Sequence, residues 1–244
     1  MDKSIETGEM MLRSIFGDVP RNDQGILNDT FKAIDAFCKQ LRQDHDCATG
    51  VQDKWIRLDL WAEGLRSALD ELEQSVYCSE QYGADITKLS EEEMSPEELV
   101  NYDRHLYYYK NTFIRIFSTL DKTGYFLDKL YDLNTAHVKP KFSYYTVLRQ
   151  LHKSPNHTFL EQQLFDIKVK YQKPMGRLKT RRNLEIHSLN AELIDDVWRN
   201  RRCFATMHRV EPVRINLDDL QQGYVMVCES LYTIFANCSK QSHR

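Results

Sequence analysis

The sequence predicts an all-α fold, an up-and-down helical bundle, and three observations support this prediction. The chain has 244 residues, of which 41% are hydrophobic, and this is enough to build a continuous apolar core. Long segments place apolar residues at alternating steps of three and four, which is the spacing of one face of an amphipathic helix. Only residues 210–214 read as a segment that is extended rather than helical.

The N-terminal half predicts three helices. The first covers Ile26 to Leu41, and residues 44–50 read as a connector. Ser95 and Pro96 start the third helix, because serine can cap a helix and proline fits its first position. The apolar seam of the second helix is Trp55, Leu58, Ala62, Leu65, Leu69, Leu72 and Val76, and that of the third is Leu106, Tyr109, Phe113, Ile116, Leu120, Thr123, Leu127 and Leu130.

The C-terminal half predicts shorter helices and a final long one. A helix over 144–151 precedes a turn at 153–156, and the next helix runs from Thr158 to about Tyr171. Pro174 and Gly176 interrupt the chain, and a further helix then runs from about Met175 or Arg177 to Arg199. Either Asn216 or Asp218 caps the last helix. Its seam is Leu217, Leu220, Tyr224, Val227 or Cys228, Leu231 and Phe235.

These helices are divided between two predicted units. Residues 1–90 are expected to form an N-terminal helical hairpin packed on a bundle, and residues 91–244 are expected to form that bundle. A single continuous bundle is the alternative arrangement.

Composition excludes several classes of protein. No apolar run reaches the roughly 18 residues of a membrane span, so we expect no membrane partner and a cytoplasmic location. The six cysteines form no Cys-x-x-Cys pair and no paired spacing with histidine, which argues against a disulfide scaffold and a metal site. There is no Gly-rich phosphate loop, serine-hydrolase elbow or His-Glu-x-x-His motif, and no cofactor is expected.

A basic track interrupts an otherwise balanced charge distribution. The net charge is −3, yet residues 168–182 contain no acidic residue. The track favours phosphate contacts, because clustered lysine and arginine side chains supply sequence-independent affinity for nucleic acid. A solvated face or a partner-protein surface is the alternative reading. The predicted RNA-binding residues are Lys168, Lys170, Lys173, Arg177, Lys179 and Arg181.

The track ends in the most informative motif of the chain, Arg182-Asn183-x-x-x-His187. Asn183 and His187 are four residues apart on one helical face, so the amide can hold one imidazole nitrogen. Arg182 falls in an apolar stripe with Leu178, Ile186, Leu189 and Leu193, where a charged group needs a partner. A second arginine and histidine at similar spacing, Arg202 and His208, lacks the polar residue and reads as background.

This motif in an all-helical chain resembles the HEPN superfamily (higher eukaryotes and prokaryotes nucleotide-binding domains), whose members are helical bundles that commonly dimerise. Many of them are RNases. The resemblance implies that Arg182 contacts non-bridging phosphate oxygens, that His187 is the general base or acid and that Asn183 orients the imidazole or the phosphate. The implied reaction is metal-independent RNA cleavage by the 2′-hydroxyl, which leaves a 2′,3′-cyclic phosphate and a 5′-hydroxyl.

A homodimer is the expected assembly, because one motif supplies one histidine while the reaction needs both an acid and a base. Arg182 and His187 are also about 140° apart around the helix, so two copies facing each other would converge these groups better than one. The expected partners are RNA and an antitoxin or regulatory protein, in a toxin or phage-defence setting. The alternative is a non-catalytic HEPN-like dimer that binds RNA, a nucleotide or a protein. Leu189 stands where some family members carry a tyrosine that is modified.

Overall fold

The all-α prediction is confirmed by a computed structural model that describes residues 21, 23–45, 52–138, 142–187 and 213–241. None of these residues lies in a β-strand. The helices, in chain order, are α1 (Gly25–His45), α2 (Gln52–Ala84), α3 (Pro96–Leu130), α4 (Thr135–Val138), α5 (Tyr144–Leu151), α6 (Thr158–Lys170), α7 (Gln172–His187) and α8 (Val213–Gln241). Short 3-10 turns occur at Glu91–Glu93 and Pro155–His157.

The predicted seams form the core. Helices α2 and α3 make the most extensive helix pair, and α8 packs against α1, α2, α3, α6 and α7. The α2 seam from Leu58 to Val76 is buried, whereas Trp55, its predicted first member, is 39% exposed at the start of the helix. Side chains of α1 and α2 share one apolar cluster with those of α3 and α5–α8. The domain boundary at residue 90 remains a prediction.

Local capping places the ends of two helices where the sequence predicts them. Ser95 accepts the Glu98 backbone N–H at 3.1 Å, and Pro96 occupies the first turn of α3. At the start of α5, the Ser143 side chain accepts the Thr146 N–H, and the Thr146 hydroxyl accepts the Ser143 N–H. This reciprocal capping box satisfies two backbone donors that the helix itself leaves unpaired.

Helix α5 is held close to α3 by two features of α3. Gly124 has no side chain at the contact, and a Cβ atom there would lie 2.9 Å from the Tyr144 Cα. Asp121 accepts the Tyr144 backbone N–H through Oδ1 at 2.9 Å. The start of α5 therefore approaches α3 at backbone distance.

Two predicted boundaries in the C-terminal half are wrong. Pro174 lies in the first turn of α7, where a proline costs no hydrogen bond, and the break from α6 falls at Tyr171. Val213 and Arg214 are helical rather than extended, so Asn216 and Asp218 lie inside α8 and do not cap it. Burial of Val213 beside Tyr102 outweighs the strand preference of valine. Residues 210–212 lie outside the described part of the chain.

Within the described residues, no helix is both long and apolar enough to cross a membrane.

Candidate functional site

The motif helix α7 packs against both α3 and α8. Leu178 is fully buried at this contact. Gly223 of α8 allows the close approach, because a Cβ atom there would lie 2.9 Å from Cδ1 of Leu178 and of Ile116. The first half of α7 is therefore fixed in the bundle, and this contact determines which way the motif residues face.

Arg182 lies against α3. Its guanidinium carbon stands 4.8 Å from the centroid of the Phe117 ring, a distance at which the cation is attracted to the ring. The side chain is half-buried, and its Nε atom is buried with no hydrogen-bond partner among the described residues. An aromatic neighbour in the same chain thus explains how a guanidinium sits beside apolar side chains.

Two titratable groups at the junction of α3 and α5, Asp121 and Tyr145, have shifted pKa values. Burial raises the pKa of Asp121, and the Tyr144 N–H and the charge of Arg182 act in the opposite direction. Burial, together with the nearby Asp121 carboxylate, raises the pKa of Tyr145 to about 12. The Tyr145 phenol is therefore uncharged at neutral pH. A separate ion pair between Lys110 and Glu185, at 3.6 Å, also joins α3 to α7.

The apolar residues of α7 that follow Leu178 are exposed and are not buried by other described residues. Leu178 is fully buried, whereas Ile186 is 50% exposed and Leu184 is 52% exposed. Eight residues of helix advance the side chain by about 80°, which carries Ile186 to the edge of the contact. Asn183 is also exposed. The last turns of α7 present mixed polar and apolar groups.

The predicted pairing of Asn183 with His187 remains a prediction. His187 is the last residue of α7, and its side chain lies outside what the structure describes. Leu189, Leu193 and the arginines at 199, 201 and 202 also lie outside the described residues, as does the background pair Arg202 and His208. The structure therefore describes the surroundings of Arg182 but not those of the His187 side chain.

Two cations of the basic track are held by acidic side chains of α8. Arg177 binds the buried Asp219 through two hydrogen bonds, from Nε at 2.7 Å and from a terminal nitrogen at 2.5 Å. These hydrogen bonds raise the pKa of Arg177. Lys170 binds Glu229 at 2.7 Å, and the Tyr171 hydroxyl donates to the same carboxylate. These cations thus help to fix α6 and α7 on α8.

The other members of the track differ in environment. Lys173 and Lys179 are exposed. Arg181 is half-buried, with its guanidinium carbon 5.5 Å from the Tyr109 ring centroid, and the Lys168 ammonium lies 5.1 Å from the Phe165 ring centroid. The described structure thus divides the track into cations packed on rings, cations paired with carboxylates and two exposed lysines.

A cluster of metal-ligand side chains elsewhere in the described residues is an ion-pair network. Ligand atoms of Cys38, Asp59 and Glu63 lie within 4.8 Å of one another. Arg42 already donates to Asp59 at 3.0 Å and to Glu63 at 2.8 Å. Burial raises the pKa of the Cys38 thiol to about 12, so the thiolate that would bind a metal is disfavoured.

The sequence prediction did not include Phe117, Asp121 or Tyr145. The one signal was the four-residue spacing of Phe117 and Asp121, which places both on one face of α3. The contact between Phe117 and Arg182 depends on how α7 packs, and the spacing of residues along the chain does not reveal it.

Comparison with known proteins agrees with this architecture. A family model described as HEPN_Cthe2314-like HEPN matches residues 61–239, which is more than half of the chain and includes the whole of α7. No curated protein and no solved structure gives a significant match. The helical bundle and the extent of this match identify the chain as a member of the HEPN superfamily, as the resemblance of its sequence predicted.

Proposed function

We propose that this protein is a metal-independent endoribonuclease of the HEPN type. The observation that carries the proposal is the environment of Arg182. Its half-buried guanidinium is held beside Phe117, inside the region that matches a HEPN family, and its Nε–H has no acceptor among the described residues. Because Nε is itself buried, the terminal nitrogens of this half-buried guanidinium are the ones that would donate hydrogen bonds to a phosphate.

The chemistry assigns one role to each motif residue. RNA carries its own nucleophile, so the protein must remove the proton of the 2′-hydroxyl, stabilise the phosphorane and protonate the leaving 5′-oxygen. Arg182 stabilises the charge on the non-bridging oxygens, His187 transfers a proton and Asn183 orients the imidazole or the phosphate. The phosphorus–5′-oxygen bond breaks as the bond to the 2′-oxygen forms, which leaves a 2′,3′-cyclic phosphate and a 5′-hydroxyl.

The proposal includes a homodimer with a composite site. One chain contributes one His187, whereas the reaction uses an acid and a base. Leu184 and Ile186 are both exposed in the motif helix, and because residues two apart lie on different faces of a helix, each supplies a separate apolar contact for a second copy. Lys173 and Lys179 are the exposed cations of the basic track and the best placed for RNA phosphates.

The second candidate is a HEPN-like dimer that binds RNA, a nucleotide or a partner protein without cleaving it. One observation favours it. Arg182 already packs on the Phe117 ring within its own chain, so its role in this alternative is to hold α7 on α3 and to contact a phosphate. The two candidates differ in whether His187 is needed.

Incubation of the purified protein with mixed-sequence RNA in EDTA tests the proposal. We expect cleavage without metal, products with cyclic phosphate ends by mass spectrometry, and loss of cleavage in His187→Ala. The matched control is His208→Ala, which removes the histidine of the background pair and should cleave like wild type. RNA binding without cleavage, with a steep dependence on salt, would support the second candidate.

The biological setting belongs to the same proposal. A cytoplasmic nuclease of this kind would act as a toxin or a phage-defence effector, restrained by an antitoxin or regulatory protein. Growth arrest on induced expression that requires His187 would support this setting. Normal growth with an active enzyme would contradict it.

A further inference from the structure

We propose that an apolar row on the outer face of α3 is the surface through which two copies of this chain pair, with their α3 helices antiparallel. The outer row consists of Val100, Tyr107 and Ile114. The inference rests on the proposed function for the direction of the pairing, because that direction sets two motif helices beside each other. The pairing itself is tested without RNA.

The side chains of the outer row are spaced seven residues apart on one helix. Seven residues make about two turns, so the direction drifts by only about 20° at each step and the row is about 21 Å long. Val100 is 48% exposed, Tyr107 63% and Ile114 38%. The buried seam of α3 already faces the core, so the helix carries a second apolar face. Apolar residues at seven-residue spacing are typical of a helix that pairs with another helix.

The outer row adjoins the motif helix on the side away from α8. On α3, Arg182 of α7 lies against Phe117, and Gly223 of α8 approaches Ile116, about 100° to one side of Phe117. The nearer residues of the outer row lie about 60° to 80° to the other side of Phe117. The row is therefore the strip of α3 surface that follows the α7 contact.

The motif helix has an outer edge that faces the same way. Leu178 lies against Gly223 of α8, about 40° to one side of Arg182. Ile186 and Asn183 lie about 40° and 100° to the other side, and both are exposed. The outer row of α3 and this edge of α7 are therefore neighbouring parts of one surface, and a partner seated on the row reaches the motif.

Symmetry decides the direction of the pairing. A two-fold axis that lies in the contact plane and is perpendicular to α3 makes the two α3 helices antiparallel and places both α7 helices on the same side of the pair. An axis along α3 would make the helices parallel and place the α7 helices on opposite sides. The proposed reaction needs an acid and a base, whereas one motif supplies one histidine. The antiparallel pairing is therefore the one that brings two motifs together.

Antiparallel pairing centred on Tyr107 makes the outer row self-complementary. It sets the Tyr107 rings of the two copies against each other, and aromatic pairs are favourable contacts. Val100 of each copy then meets Ile114 of the other, because both residues are seven positions from the centre. Each side chain of the row thus has an apolar partner.

Charged side chains beside the row match in the same arrangement. Asp103 lies four residues before Tyr107 and Lys110 three residues after it, both turned toward the α7 side of the row. Asp103 of one copy is therefore about 1.5 Å along the helix axis from Lys110 of the other, so opposite charges meet. Lys110 also holds Glu185 of its own α7 at 3.6 Å. The two Lys110 positions are about 9 Å apart along the axis, which brings the ends of the motif helices close together.

Analytical ultracentrifugation of the full chain, without RNA, is the first test. We expect wild-type protein to sediment as a dimer. Tyr107→Glu should raise the dimer dissociation constant at least about thirtyfold, because it places two carboxylates at the centre of the contact. Leu60→Glu is the matched control, since Leu60 is 64% exposed on α2, and this variant should dimerise like wild type. Circular dichroism verifies that both variants fold.

Three results of this test would overturn the inference. A monomeric wild type would leave the outer row to another segment of this chain or to a different protein. A dimer that Tyr107→Glu does not weaken would mean that the copies pair through another surface. An equal loss in Tyr107→Glu and Leu60→Glu would mean that the added charge acts regardless of its position.

Cysteine crosslinking tests the direction of pairing and does not depend on the glutamate variants. Val100→Cys and Ile114→Cys proteins are mixed and oxidised, and mass spectrometry identifies the disulfides. We expect a bond between position 100 of one copy and position 114 of the other. Val100→Cys alone should form no bond between its two copies of position 100, which are about 21 Å apart in the antiparallel pair. A bond between those two positions would mean parallel helices and would overturn the inference.

The two proposals fail in different ways. If the copies pair through the outer row but wild-type protein cleaves no RNA, the nuclease proposal fails and the interface holds. If wild-type protein cleaves RNA but Tyr107→Glu leaves the dimer unchanged, the interface fails and the nuclease stands.

Discussion

Gly124→Ala offers a direct test of how closely α5 is held to α3. In an isolated helix this substitution would stabilise by about 1 kcal/mol, because alanine is the better helix former. In this bundle the new Cβ would lie 2.9 Å from the Tyr144 Cα and 3.2 Å from the Tyr144 N, both of them backbone atoms. Backbone has no rotamer with which to move aside, so α5 as a whole must shift.

The expected magnitude follows from the contacts that the shift disturbs. Overpacking of a tight contact costs about 1–3 kcal/mol. Loss of the hydrogen bond from the Tyr144 N–H to Asp121 costs about 1 kcal/mol more. After the gain in helix propensity, we expect Gly124→Ala to lower the free energy of unfolding by about 1–3 kcal/mol. For a chain of this size, that corresponds to a fall in Tm of about 2–12 °C.

Gly64→Ala is the matched control, because this glycine also lies inside a long helix. No atom lies within 4 Å of the Cβ position at Gly64. Its substitution should therefore show the propensity gain alone, a stabilisation of up to about 1 kcal/mol. Urea unfolding followed by circular dichroism would measure both variants. Equal or greater stability of Gly124→Ala relative to wild type would refute the close approach of α5.

Two further predictions concern buried groups. Arg177→Met should lower Tm because it leaves the Asp219 carboxylate, which is 2% exposed, without its guanidinium partner. Lys173→Met, on the exposed side of α7, is the control and should leave Tm unchanged. Thermal unfolding measures both variants, and equal Tm values would argue that the Arg177–Asp219 pair does not stabilise the fold. Cys38 should react slowly with iodoacetamide at pH 8, because its pKa of about 12 keeps the thiol protonated; rapid labelling in the native protein would contradict this.

Most of the helices could be predicted from the sequence, because their signals are local. The periodicity of the α2 and α3 seams depends only on residues three and four apart. The start of α3 depends on Ser95 and Pro96, which act within one turn, and α5 matches its predicted bounds. The motif Arg182-Asn183-x-x-x-His187 is likewise a local pattern, and it indicated the superfamily that the family match confirms.

Tertiary structure decided the features that join distant parts of the chain. Arg177 and Asp219 are 42 residues apart in sequence, and Arg182 meets Phe117 from another helix. The exposure of Ile186 depends on where α7 leaves its neighbours, and the helical state of Val213 depends on burial beside Tyr102.

The physical reason is the range over which each interaction acts. Helix propensity, capping and apolar periodicity act within about four residues, so a single sequence reveals them. Which cation meets a ring, which meets a carboxylate and which remains in solvent depends on the packing of α3, α7 and α8. That packing is a property of the whole core, and Phe117 and Asp121 become part of the candidate site only when the helices are in contact.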